Sequence, residues 1–193
     1  MTFRTALISL LLIVLTVIGI YFFIFNKLYP IAFVNFNVIA ADVMERNLLT
    51  ANNLAQKYLL IQGEDAQKIK NPESQKEIRR ATIEKLIVDS IIYRELASRL
   101  SKKEITDIAN DKIGKLIKDD EKTNAGIKIL YGLGFSEFKE QILLPQAYKE
   151  IFQEKMNLDN QKFDQWLINS KKNAQVIILD KNFKWINGQL EIL

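Results

Sequence analysis

The chain opens on an unbroken apolar run and only then becomes patterned. Residues 6–25, ALISLLLIVLTVIGIYFFIF, hold no charge. A helix of about 20 residues rises about 30 Å, the thickness of a bilayer's hydrocarbon core. Arg4 precedes the run. Tyr21, Phe22, Phe23, Phe25 and Tyr29 crowd its far end, where an aromatic belt sits at the headgroups. A buried core helix seldom runs this long without one charge. A cleaved leader needs a shorter run with small residues close behind it. Here Leu28, Tyr29 and Pro30 follow, and Val38-Ile39-Ala40 lies too far downstream. The pattern predicts one transmembrane helix within an amino-terminal anchor, 1–29. Arg4 and the terminal amine slightly outweigh Lys27, which puts the amino terminus in the cytoplasm and residues 30–193 outside it.

Past the run, short β-like segments flank a long helical stretch. PIAFV at 30–34 is β-branched and aromatic, which predicts a strand near 31–35, with Asn35-Phe36-Asn37 turning the chain. Val43, Leu48, Leu49, Leu54, Leu59 and Leu60 then keep helical spacing from Asp42 to about Gln62, where Gly63 breaks it. Residues 63–75 are polar and read as a loop. Asn71-Pro72 opens a helix to about residue 100 with a wide apolar face, the strongest helical signal in the chain. Ser101-Lys102-Lys103-Glu104 fits a capping box before a helix to about Lys118. A charged loop at 119–124 precedes a short helix at 125–131, stopped by Gly132. A helix at 136–156 is interrupted near Leu144 by Pro145. Another follows at 161–172, then a strand at 175–179. Asn187-Gly188 suits the type I′ turn of a final hairpin, 183–192. The fold class is mostly α, a multi-helix domain at 30–193 closed by a small sheet of its amino- and carboxyl-terminal strands.

Composition narrows the chemistry. The formal charge of +4 is modest, and most of the body is balanced, so the dense basic surface of a nucleic-acid binder is missing. The chain has no Cys and no His. Disulfides, thiol catalysis, thiolate metal sites and His-based triads are excluded. Glu104, Asp107 and Asp111 share a helix face, but hard-cation sites want more oxygen ligands, so they read as a solvated acidic face. Gly132-x-Gly134 is too short for a dinucleotide loop, and Lys171-Lys172 reads as the basic last turn of a helix. No cofactor or metal is expected. The aromatic set of the carboxyl-terminal half is mostly core, with a minority free to line a groove for apolar recognition.

Residues 30–46, 82–100, 133–156 and 166–179 together resemble the amino-terminal chaperone domain of the SurA-type foldases, a group that includes PrsA-like and PpiD-like membrane-anchored proteins. In that family the closing strand returns to the opening one. The family usually has Gly after the Asn of its first turn, where this chain has Phe36. Relatives carry a parvulin-type prolyl isomerase domain between the last two helices. Only six residues separate Met156 from Phe163, which leaves no space for it. The resemblance implies a non-enzymatic chaperone that binds unfolded exported polypeptides at the cell membrane, through residues such as Phe36, Tyr131, Phe135, Phe138, Tyr148 and Phe152. The alternative is an adaptor module that binds one folded partner in a membrane complex.

Overall fold

A computed structural model describes residues 12–17 and 23–193. The expected anchor lies in part outside the described residues. Its described pieces, 12–17 and 23–25, are helical and exposed, and among the described residues no helix is long and apolar enough to cross a membrane.

Strand β1 (Pro30–Val34) runs into a hairpin with β2 (Asn37–Ala40). Two residues make the turn, Asn35 at φ 48° and Phe36 at φ 72°. Two successive positive φ values define a turn that favours Asn and then Gly. Asn35 obeys the rule and Phe36 does not. The expected first strand and turn are present, while β2 is an addition the alternation did not reveal. Strand β3 (Val176–Ile178) pairs antiparallel with the other side of β1, so the two ends of the body meet in one sheet of order β2-β1-β3. Asn35 and Gln175 extend the seam, exchanging hydrogen bonds at 2.8 and 2.9 Å. Strands β4 (Phe183–Ile186) and β5 (Gln189–Ile192) form a separate hairpin through Asn187 and Gly188, both at positive φ. A Cβ at Gly188 would lie 3.0–3.1 Å from the backbone of Lys171 and Lys172, so this turn sits hard against the preceding helix.

Seven helical segments lie between the strands. Helix α1 spans Ala41–Ile61, and a 3-10 turn at Ala66–Lys70 interrupts the loop expected at 63–75, burying Ile69. Helix α2 is Pro72–Ala97. The Asn71 side chain caps it by accepting the Ser74 N–H, and Pro72 loses nothing at a position whose N–H is unpaired in any helix. Helix α3 (Lys102–Leu116) starts on the expected capping box. The Glu104 carboxylate accepts from the Ser101 hydroxyl and backbone N–H, and these bonds hold its pKa below the usual carboxylate value. Helix α4 (Glu121–Tyr131) starts four residues earlier than expected, because Asp120 in the charged stretch caps it. It ends on Gly132 in the left-handed conformation. Helix α5 (Phe135–Phe138) passes through a π-helical turn at Lys139–Leu143 into α6 (Leu144–Lys155), and α7 is Asn160–Asn173.

The π turn is the form taken by the interruption at Pro145. Proline cannot donate to the carbonyl of Gln141, four residues back. The Lys85 ammonium of α2 bonds that carbonyl instead, at 3.2 Å, while also holding Asp89 at 2.8 Å. The buried Gln141 side chain meets the Thr50 hydroxyl of α1 at 2.9 Å. Three elements are thus pinned by one interior polar clasp.

The apolar core forms two clusters. One gathers Ile31, Val34, Ile39, Met44, Ile83 and Ile87 between the sheet, α1 and one face of α2. The other gathers Leu96, Ile105, Ile113, Ile151, Phe152 and Phe163 among the helices of the carboxyl-terminal half.

Two predictions follow from this geometry. Phe36 is 86% exposed, so its ring returns little packing for a left-handed backbone that costs roughly 1–2 kcal/mol. Phe36→Gly is expected to stabilise the fold by about 1 kcal/mol in urea unfolding, after glycine's own entropy is subtracted. The second concerns Asp89, whose carboxyl is pushed up by burial more than Lys85 pulls it down. The folded state then holds that proton more tightly than the unfolded one, and its contribution to stability is lost as pH rises through the raised pKa. Asp89→Asn removes the loss, so its stability relative to the parent should grow as pH rises above about 4, the ordinary carboxylate value, in urea titrations.

Candidate functional site

Helix α1 has more apolar positions than one buried stripe uses. Ala41, Met44 and the polar Asn47 and Thr50 face the interior, whereas Leu49, Leu54, Tyr58, Leu60 and Ile61 are exposed. Leu49 and Leu60 lie on the face opposite the buried stripe, whereas Leu54, Tyr58 and Ile61 continue that stripe beyond its last buried residue, Thr50. The 3-10 turn and the start of α2 approach this end of α1 to form an open groove of about 660 Å³. Its lining is almost wholly apolar. Ala51, Ala55 and the buried Ile69 form the floor, and Leu54, Tyr58 and Ile78 the walls.

Local bonds hold this shape. The Gln75 amide donates to Asn52 of α1 at 2.7 Å and to the Ile69 carbonyl at 2.8 Å, tying the three lining elements together. Small side chains at Ala51 and Ala55 leave the space. The rim is charged but self-neutralised. Lys68 pairs with Glu64 at 3.1 Å, and Glu77 with Arg80 at 2.8 Å. Such a site offers contact area without selecting strongly for charge. Ser74 also lines it, its hydroxyl accepting from the Asn71 amide at 2.9 Å, and the remaining surface suits apolar contact.

The aromatic residues expected to contact polypeptide are not in this groove, and the structure separates them. Phe152 and Phe138 are core residues. Phe152 packs with its ring centroid 4.4 Å from Trp166 and 6.3 Å from Phe163, and Phe138 packs 4.8 Å from Tyr131. Neither has surface to offer a ligand, because α4, α6 and α7 close over them. Tyr131 and Phe135 are half-buried at the margin of the same cluster. Tyr148 pairs with Tyr93 at 5.1 Å, and burial raises its phenol pKa above the ordinary value. Phe36 alone is open to solvent, at the tip of the β1–β2 hairpin.

Of the carboxylates on α3, Glu104 is engaged in its capping box and Asp111 with Lys115 at 2.5 Å. Among the described residues no cluster of three or more acidic side chains is placed to hold a metal ion. Lys171, expected to serve only the helix dipole, reaches Glu84 of α2 at 2.6 Å and lies over the Trp185 ring.

A single core face for α1 that includes Leu54 and Leu59 hides the groove. The available signal is the length of the stripe, since Leu54, Tyr58 and Ile61 follow Asn47 at helical spacing on one face and carry it past the last buried position, Thr50. Ile69 inside an otherwise polar loop was the second clue.

No protein-family model matches the chain, and neither does any curated protein or solved structure.

The groove should take up an environment-sensitive apolar dye. Leu54→Asp combined with Tyr58→Asp is expected to abolish most of the fluorescence gain. Both residues are exposed, so the melting temperature should move little.

Proposed function

We propose that this chain is a membrane-anchored chaperone, of the SurA-like kind without an isomerase domain, that holds unfolded exported polypeptides outside the cytoplasm without catalysis. The observation that carries the reading is the preformed apolar groove of α1, the 3-10 turn and α2. Its volume lies within the roughly 300–1,000 Å³ typical of ligand pockets, enough for a few apolar side chains of an extended segment and too small for a folded domain. Its rim charges are already paired, which supports tolerance toward clients of different sequence. Exposed Ile61, one turn beyond Tyr58 on the same face of α1, continues the apolar surface beyond the groove. Weak contacts of this kind shield a client and release it without any chemical step.

The anchor belongs to the same proposal. The twenty uncharged residues at 6–25 would keep the groove close to where clients leave the membrane, raising its effective concentration there.

The test uses the full chain reconstituted in lipid vesicles. It is mixed with an unfolded exported protein, and aggregation is followed by light scattering. Several-fold excess of the chain should suppress aggregation, and the Leu54→Asp, Tyr58→Asp pair should lose most of that suppression. No suppression by the parent rejects the chaperone. Capture of one folded partner at equal stoichiometry, with no effect on unfolded protein, would assign the adaptor role instead.

A further inference from the structure

The three-stranded sheet carries a second apolar surface, which the groove does not use. The register places Val38 of β2, Phe33 of β1 and Ile177 of β3 in one cross-strand row. Their neighbours Ala32, Val34 and Ile39 alternate to the other face and are buried in the core. The row therefore points outward. Val38 is 56% exposed, Ile177 is 61% exposed, and Phe33 between them is half-buried. Leu179 lies two residues beyond Ile177 and is also exposed, its N–H bonded to the Ile31 carbonyl at 2.9 Å. At the opposite end of β1 stands Phe36. An antiparallel sheet usually turns a polar face to water, and this one does not.

What adjoins this face is the apolar run. The run ends at Phe25 and β1 begins at Pro30, so the four residues between them span at most about 14 Å. They are also tied down. The Lys27 carbonyl accepts the Asp42 N–H and the Tyr29 carbonyl accepts the Ala41 N–H, each at 3.0 Å. The Lys27 ammonium pairs with Glu45 on the first turns of α1. Leu28 and Tyr29 are exposed here and carry apolar surface from the run to the edge of the sheet. The strand that bears the row thus starts where the run stops, with no slack to swing away.

We infer that the outer face of the sheet, from Leu179 and Ile177 across Phe33 to Val38 with Phe36 at its tip, rests in the headgroup region of a lipid bilayer. This rests on the reading of residues 6–25 as a membrane anchor. The bilayer is favoured over a polypeptide as the occupant because of that continuity: an anchored chain brings lipid within reach of the sheet before any client arrives. The inference also accounts for Phe36. A bulky residue holds a left-handed position with its ring in water, and the folded chain gains nothing from it. In the headgroup region an aromatic ring finds the half-apolar surroundings that aromatic belts exploit.

The experiment is simple because the chain has no cysteine. Single-Cys variants Val38→Cys, Ile177→Cys and Leu116→Cys are labelled with an environment-sensitive fluorophore and reconstituted as full chains in phosphatidylcholine–phosphatidylglycerol vesicles. Leu116 is exposed at the end of α3, beside the second core cluster, and serves as the aqueous reference. The probes at 38 and 177 should shift to the blue and lose most of their emission to a headgroup-depth lipid quencher, while the probe at 116 does neither. Phe36→Gly, which strengthens the fold, should weaken the quenching at 177. A chain that co-floats with vesicles but leaves both sheet probes as unquenched as the reference overturns the inference and spares the anchor. A chain that does not co-float overturns both. Shielding of the sheet probes only after unfolded polypeptide is added overturns the lipid assignment in favour of a client.

Discussion

The structure depends on one helix being buried along two different faces. Along one face α2 gives Ile83, Ile87 and Ile91 to the sheet and α1. Along the other it gives Ile92 and Leu96 to the helices of the carboxyl-terminal half. Ile83, Ile87 and Leu96 are wholly enclosed. Each fully buried aliphatic side chain contributes on the order of 1.5–3 kcal/mol, so the two clusters share a spine that neither can lose alone. The capping at Asn71 fixes where that spine begins, and hence the register of both clusters.

Legibility in the sequence followed the range of the forces involved. Asn71-Pro72, the Ser101–Glu104 box, Gly132 and Asn187-Gly188 act within a few residues, and each marks a boundary the structure keeps. The return of β3 to β1 was legible from the β character of both ends of the body. Long-range features were not. Pro145 announced an interruption, but not its π-helical form, nor that Lys85, 56 residues before Gln141, would bond the Gln141 carbonyl that proline cannot reach. Strand β2 was hidden because its turn puts Phe36 where Gly would have signalled a hairpin.

The candidate site was less legible for a related reason. Residue type does not say which neighbour will cover a side chain. Phe138 and Phe152 suit a binding surface as well as Leu54 and Tyr58 do. The former are enclosed because α4, α6 and α7 fold over them, and the latter stay open because the 3-10 turn and the start of α2 approach the end of α1 without closing over it. Burial was decided by how many helices arrive at each place, and a single chain's periodicity does not encode that number. The interior clasp of Thr50, Gln141, Lys85 and Asp89 adds to this, since it fixes how far α5 and α6 can travel over α1.

The pairing of β1 with β3 also has a consequence in time. The two strands come from opposite ends of the body, so the middle strand of the sheet is synthesised first and its last neighbour almost at the end. Contacts of such wide separation are slow to form, because nearly the whole chain must be ordered to close the loop. The helices of the carboxyl-terminal half have mainly local partners and can settle while β1 still waits, paired on one side only. Until residues 176–178 arrive, the nascent protein exposes an unfinished edge of the kind that invites mispairing between molecules. The short hairpin of β1 and β2, closed by a tight turn at the outset, halves that hazard by occupying one of the two edges from the start.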